Sequence, residues 1–356
     1  MTPKKKRASR VTSVSDLGER GLLRRLLPYV TKVSPATPVG AGDDCAVLFP
    51  PASGEQILLT ADMMVEGVHF DLRWMSWESL GVKAVASNVS DVASMGGRPI
   101  ALVFSLGLPA ESAVEDLTKF YASARRAARR YGCEIVGGDT ARAPKVVVSV
   151  AVVGFTPAGT RPALRSELHP GQTLYVSGSP GDSAVGLEIL RSAGLKKFAR
   201  TPDAKILVRR HLKPEVRLEL GGWLVRNYTR VAMIDISDGV FNEATLLCEA
   251  SRHGLRVDLE RIPCSPSLMR LCAKLGRDPV QYALYGGEAY ELLFAVEEDF
   301  QTLKSKLIKA GIKTPIAPIG RVEGNSLRLF RDGKEVKPDD QTFQHFPPAK
   351  NRIRKS

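Results

Sequence analysis

No Gly-x-x-x-x-Gly-Lys-Ser/Thr segment occurs in these 356 residues, and no His-Glu-x-x-His. The first absence excludes a P-loop nucleotide enzyme and the second a zinc-peptidase helix. Gly40-Ala41-Gly42 lacks the third glycine of a dinucleotide fingerprint and runs into two acids that would repel a pyrophosphate. Histidine is scarce, with five residues, and the five cysteines (Cys45, Cys133, Cys248, Cys264, Cys272) include no Cys-x-x-Cys pair. Neither a zinc site nor a disulfide framework is indicated, and a reducing cytoplasm is the expected location. The longest apolar runs, such as Ile100 to Leu108, are too short to cross a bilayer, so no membrane partner is expected. The basic start, Met1 to Arg7, is followed by polar residues and not by the apolar stretch of a signal peptide. There is no short-period repeat and no low-complexity block.

What is present is an ordinary soluble composition, 44% hydrophobic and 25% charged, in a chain long enough for two domains with their own cores. The net charge of +13 is concentrated at the ends. Lys4, Lys5, Lys6, Arg7 and Arg10 at one end, with Lys350, Arg352, Arg354 and Lys355 at the other, carry nine of the positive charges. The remainder is +4, which does not call for nucleic acid as a specific partner. Residues 1–13 and 347–356 read as disordered basic tails.

Acids recur in small-residue settings: Gly42-Asp43-Asp44, Thr60-Ala61-Asp62, Asn88-Val89-Ser90-Asp91, Gly137-Gly138-Asp139-Thr140, Asp235-Ile236-Ser237-Asp238-Gly239 and Gly286-Gly287-Glu288. Carboxylates gathered in one site would repel one another unless divalent cations filled it. Hard oxygen ligands suit magnesium, and magnesium commonly accompanies phosphate. The chemistry pointed to is that of a magnesium–nucleotide complex. Taken singly, each segment is weak evidence, since a glycine-flanked aspartate is more often a turn residue or helix cap.

The periodicity predicts a helix around Leu23 to Val30, a strand at 57–59, and a helix over about 77–95 that puts Asn88 and Asp91 on one face. A strand over 100–108 and an amphipathic helix over 111–131 follow, with Arg125, Arg126, Arg129 and Arg130 as a solvated face. Strands are expected at 133–136 and 146–153, with Gly137-Gly138-Asp139 on a loop between them. Phe155 to Pro162 marks a domain boundary. Beyond it come strands at 173–176, 231–236 and 290–296, helices near 183–192 and 215–225, and a hairpin turn at 331–334. Tyr290 and Phe294 alternate along a strand and read as core.

In their order, these segments resemble the thiamine-monophosphate kinase family of the aminoimidazole-ribonucleotide-synthetase-like superfamily. The resemblance is carried by Gly40 to Leu48, Ala61 to Phe70, Asn88 to Gly96, Gly137 to Thr140, Pro180-Gly181-Asp182-Ser183-Ala184, Arg210-His211-Leu212-Lys213-Pro214, Ile234 to Gly239 and Gly286 to Leu292. Glu66-Gly67-Val68-His69-Phe70, the Gly-Gly-Glu loop and Phe343-Gln344-His345-Phe346 point to this kinase within the superfamily.

The resemblance implies an α/β (α+β) fold of two domains, with mixed sheets flanked by helices. Residues 14–155 would bind ATP and magnesium and form the dimer, and 163–346 would be the C-terminal domain. It implies transfer of the ATP γ-phosphoryl group to thiamine monophosphate, several magnesium ions, and a homodimer paired through the N-terminal sheets. Position by position, Asp44, Asp62, Asp91, Asp139, Asp235 and Asp238 match metal ligands, with Thr60 beside the metals. Gly138, Asp139, Arg165 and Ser237 match nucleotide contacts; His69, Glu288 and Phe343 match substrate contacts. Asp43 is expected to be a turn or supporting residue. Two positions depart from the family: Ala61 replaces a hydroxyl residue, and Ala289 replaces the aspartate that follows Gly-Gly-Glu. The competing expectations are another ATP-using enzyme of the superfamily and a non-catalytic magnesium–nucleotide sensor.

Overall fold

Strand-period and helix-period segments alternate along the chain and build two open sheets. The computed structural model describes residues 43–48 and 54–338, all within one compact unit spanning residues 33–342. The expected helix near Leu23 to Val30, both basic tails and Phe343 lie outside the described residues. In chain order the elements are β1 (Ala46–Leu48), β2 (Ile57–Val65), α1 (Trp77–Ser94), β3 (Arg98–Leu108), α2 (Val114–Arg130), β4 (Glu134–Arg142) and β5 (Val147–Phe155). The second half contributes β6 (Thr173–Ser177), α3 (Asp182–Arg191), α4 (Pro202–Leu212), α5 (Leu218–Asn227), β7 (Ala232–Asp235), α6 (Val240–Ser251) and β8 (Leu255–Asp258). It ends with α7 (Pro266–Leu275), α8 (Pro279–Tyr285), β9 (Leu292–Val296), α9 (Phe300–Lys309), β10 (Ile316–Val322), β11 (Leu327–Arg331) and β12 (Lys334–Val336).

The first sheet runs β1-β2-β5-β3-β4, antiparallel except for the parallel β3–β4 pair. Its register decides which residues can reach the site. Asp62 stands opposite Val150, Val150 opposite Phe104, and Phe104 opposite Gly138. That row faces α1 and α2, whose Val85, Val89 and Phe120 share its core. The next row, Met63, Ser149, Ser105 and Asp139, points the other way because strand side chains alternate. On that outward face Leu59, Met63 and Val103 are 40%, 56% and 36% exposed.

One expectation is corrected here. Gly137-Gly138-Asp139 is not a loop: β4 continues through it to Arg142. Gly138 lies flat against β3, where a Cβ would come within 2.2 Å of the Phe104 carbonyl oxygen. Glycine in this strand serves close backbone approach, not a turn.

The second sheet runs β12-β11-β8-β10-β6-β9-β7 and is buried on both faces at its β6, β9 and β7 end. Leu174, Val176, Ile234, Leu293 and Ala295 enter one core, while Tyr175, Met233, Leu292, Phe294 and Val296 enter the other. This alternation is what a strand covered on both sides requires.

Helix α1 joins the halves. Ser76 caps it by accepting the Ser79 N–H at 3.2 Å. It packs on the first sheet, on α5 and on β7. Although buried, it carries a polar stripe at helical spacing: Lys83, Ser87, Ser90 and Ser94, with Asp91 adjacent. No helix among the described residues is long and apolar enough to cross a membrane.

Candidate active site

Three of the expected aspartates converge where α1 meets both halves. Asp44 precedes β1, Asp91 lies in the last turns of α1, and Asp235 ends β7. One carboxylate oxygen from each lies within 4.8 Å of the others. Their positions are fixed by neighbours. Thr60 Oγ1 donates to Asp91 Oδ2 at 2.6 Å, and Ser94 Oγ donates to Asp44 Oδ2 at 2.7 Å. Asn88 Oδ1 accepts the Asp62 N–H at 3.0 Å, pinning β2 to α1 beside the cluster.

The electrostatics match that crowding. Burial, followed by the charges of Asp235, Asp62 and Asp44, holds Asp91 well above the usual carboxylate range. Burial and Asp44 push Asp235 up to about 8. Asp62 is raised by the surrounding protein and by Asp44, although its residue surface is open. The Arg165 guanidinium pairs with Asp44 and is the nearest internal counter-charge. Asp43 behaves as the supporting residue expected: its Oδ1 accepts the Arg165 N–H at 3.0 Å, and burial raises it to about 6.

These groups fit a divalent cation. The donors are all hard oxygens. The buried Ser90 hydroxyl, 1% exposed, lies against Asp235 and opposes the upward push on its carboxyl.

The Asp235-Ile-Ser-Asp238-Gly loop is held from beneath. Glu243, 1% exposed on α6, accepts the Asp238 N–H at 2.9 Å and the Ser237 hydroxyl at 3.3 Å through Oε1. Burial and the Asp238 charge push Glu243 up to about 8. The N-cap position of α6 is Gly239, one residue after Asp238. Sequence reading missed Glu243: it lies five residues after Asp238, outside the three-residue spacing of a capping box, and no local motif signals it.

The Gly286-Gly287-Glu288 loop lies on top of this one. Glu288 N donates to the Ser237 carbonyl at 2.6 Å and Tyr290 N to the Ile236 carbonyl at 2.9 Å. A Cβ on Gly287 would sit 2.4 Å from the Ser237 carbonyl oxygen, which leaves no room for any other residue. Glu288 and Tyr290 both have positive φ, 60° and 53°. Glu288 meets the buried Lys83 Nζ at 2.7 Å. His69, whose Nδ1 accepts the Val65 N–H at 3.0 Å, lies within electrostatic range of Glu288. The two expected substrate residues are therefore neighbours. Tyr290 is buried, as expected, but it precedes β9 and lies within electrostatic range of Glu288, Asp62, Asp235 and Asp91. Ala289 packs on the apolar cluster with Phe241 and Tyr285.

Two expected residues are not gathered. Gly138 is three strands from Asp62 in the sheet order, and Asp139 is on the opposite face.

The chain matches the family model described as AIR synthase related protein, N-terminal domain, over residues 42–156. It matches the corresponding C-terminal domain over residues 169–331. It is 35% identical over 335 residues to thiamine-monophosphate kinase of Aquifex aeolicus (strain VF5), covering 94% of this chain and 99% of that protein. With the enzyme of the same name from Escherichia coli (strain K12) it shares 36% identity over 334 residues, covering 92% and 98%. The structure of AaThiL complexed with AMPPCP and TMP superposes with a TM-score of 0.81 at 35% identity, covering 95% of this chain and all of that one. The hydrogenase maturation protein HypE in complex with ATP has the same fold, with a TM-score of 0.62 at 19% identity over 91% and 95% of the two chains.

Proposed function

This chain belongs to the thiamine-monophosphate kinase family, and on that premise we infer that it moves the γ-phosphoryl group of ATP onto thiamine monophosphate, giving thiamine diphosphate and ADP. The observation that carries the reading is the convergence of Asp44, Asp91 and Asp235 between the two halves. The acceptor is a phosphate oxygen, already anionic near neutral pH, so no strong general base is needed. Bringing two polyanions into line is the main task, and charge neutralisation is the means.

Magnesium ions, when bound, would supply the positive charge that lets two polyanions approach. Asp44, Asp62, Asp91, Asp235 and Asp238 are the residues we assign to hold them, with Thr60 fixing Asp91 in place. Arg165 has forked donors suited to phosphate, and Ser237 presents its loop to the nucleotide. His69 and Glu288 form the substrate side. The apolar outward face of the first sheet, with Leu59, Met63 and Val103 exposed, supports a homodimer paired through these sheets. Asp139 points to that face, so any part it and Gly138 take in binding depends on the pairing. Five free cysteines support a reducing cytoplasm.

Incubation with ATP, magnesium and thiamine monophosphate tests the reading. Magnesium-dependent formation of thiamine diphosphate is expected. Nucleotide binding without that product would favour a sensor or another substrate.

A further inference from the structure

We propose that Lys83 and His211 are positioning residues that hold Glu288 as a fixed anion, and that this anion selects the cationic ring portion of the substrate, not its phosphate. The proposal rests on the reading of Glu288 as a substrate contact. Two motifs that the phosphoryl chemistry leaves unused, Gly181 to Ala184 and Arg210 to Pro214, meet at this point.

Lys83 and His211 are both 0% exposed. A buried ammonium is costly unless it is paired with good geometry. Here Lys83 Nζ, carried on α1 from the first half, reaches Glu288 Oε1 at 2.7 Å and His211 Nε2 at 3.3 Å. An ammonium can only donate, so His211 Nε2 accepts and the ring proton resides on Nδ1. That N–H faces Glu288 Oε2 at 3.4 Å and Ser183 Oγ at 3.2 Å. Each Glu288 oxygen thus faces its own donor, one from each half of the protein. Burial and the Lys83 charge push His211 down to about 3, so the ring stays neutral and keeps this tautomer. Burial draws Glu288 up, but the charge and hydrogen bond of Lys83 outweigh it and bring the carboxyl below its ordinary value.

Nothing in this arrangement would hold a second anion at Glu288. Its side chain remains 23% exposed, enough for one face to meet a ligand. A carboxylate so placed repels phosphate and attracts a quaternary nitrogen, which the thiazolium ring of thiamine monophosphate supplies.

The test is steady-state kinetics of the full chain with ATP, magnesium and thiamine monophosphate. Glu288→Gln and Lys83→Met are each expected to raise KM for thiamine monophosphate at least about tenfold while moving KM for ATP less than about twofold. In the Lys83→Met/Glu288→Gln double variant the rise should not exceed that of Glu288→Gln alone. Inhibition by inorganic phosphate, competing with thiamine monophosphate, should be unchanged in Glu288→Gln. A normal KM in Glu288→Gln removes Glu288 from substrate binding and the proposal with it. A raised KM in Glu288→Gln with a normal one in Lys83→Met overturns the positioning role alone. Weaker phosphate inhibition in Glu288→Gln overturns the selection of the ring. If Lys83→Met does not fold, His211→Leu serves instead, since it keeps the Lys83–Glu288 pair and removes the second donor; an unchanged KM for thiamine monophosphate would then overturn the role.

Discussion

Replacing Asp235 with asparagine should abolish turnover and stabilise the metal-free protein, and the size of the second effect follows from the site. Asp235 shares a 4.8 Å cluster with Asp44 and Asp91. At that separation and an effective dielectric of about 20, two unit charges repel by about 3.5 kcal/mol, and Asp235 faces two of them. Arg165 offsets part of this through Asp44. Proton uptake relieves more. Because the folded-state pKa of Asp235 is raised to about 8, the folded protein binds this proton more tightly than the unfolded chain. Its contribution is therefore fully present below the ordinary carboxylate range near pH 4 and is lost as pH rises through about 8.

Wild-type protein in a chelator should thus lose stability from pH 5 to pH 8.5, and the asparagine variant should show a shallower slope. After these offsets we expect a gain of about 2–4 kcal/mol at pH 8.5, or roughly 5 °C in Tm, and little gain at pH 5. Turnover with magnesium should fall at least about a hundredfold. Thermal denaturation in chelator at the two pH values, with and without added magnesium, measures the effect. The reasoning fails if the variant is less stable than wild type at pH 8.5 in chelator. It fails equally if magnesium raises the Tm of both proteins by the same amount.

Two further outcomes can be checked. Met63→Lys places a charge on the outward sheet face, where Met63 is 56% exposed, and should shift the protein to monomer in size-exclusion chromatography with light scattering. Glu243→Ala removes the acceptor for Asp238 N–H and Ser237 Oγ, and should raise KM for ATP about tenfold and lower stability by about 1–3 kcal/mol. Glu243→Gln keeps an acceptor oxygen and should restore most of both in the same assays.

The helix carrying Asn88 and Asp91 was legible because spacing alone puts them on one face, and the structure uses both there. The Gly-Gly-Asp segment was misread because glycine pairs usually mark loops, whereas the demand here is contact with Phe104 in a neighbouring strand, which no local pattern reveals. Tyr290 looked like one member of a strand alternation with Phe294. The positive φ at Glu288 and Tyr290 breaks that alternation, and it is imposed by hydrogen bonds to Ile236 and Ser237, about fifty residues earlier. Lys83 was passed over because a single lysine in a helix normally lies at the surface. Its companions Ser87, Ser90 and Ser94, small and polar on an otherwise apolar helix, were the trace it left.

That stripe also explains why one helix serves both ends of the reaction. From Lys83 to Asp91 is eight residues, about 12 Å along an α-helix. Lys83 fixes Glu288 at one end; Asp91, with Ser94 behind Asp44, builds the acidic cluster at the other. A substrate with a cationic ring and an anionic phosphate would have the matching polarity, ring toward Glu288 and phosphate toward the cations proposed at the aspartates. Reversed, it would set phosphate against the Glu288 carboxylate and the ring against the bound cations. Orientation is then a property of α1, and it persists only while the helix holds its place against both halves. The contact of Gly221 with Ala93 is one point that holds it: a Cβ there would lie 2.1 Å from the Ala93 carbonyl oxygen and push the second half away from the helix.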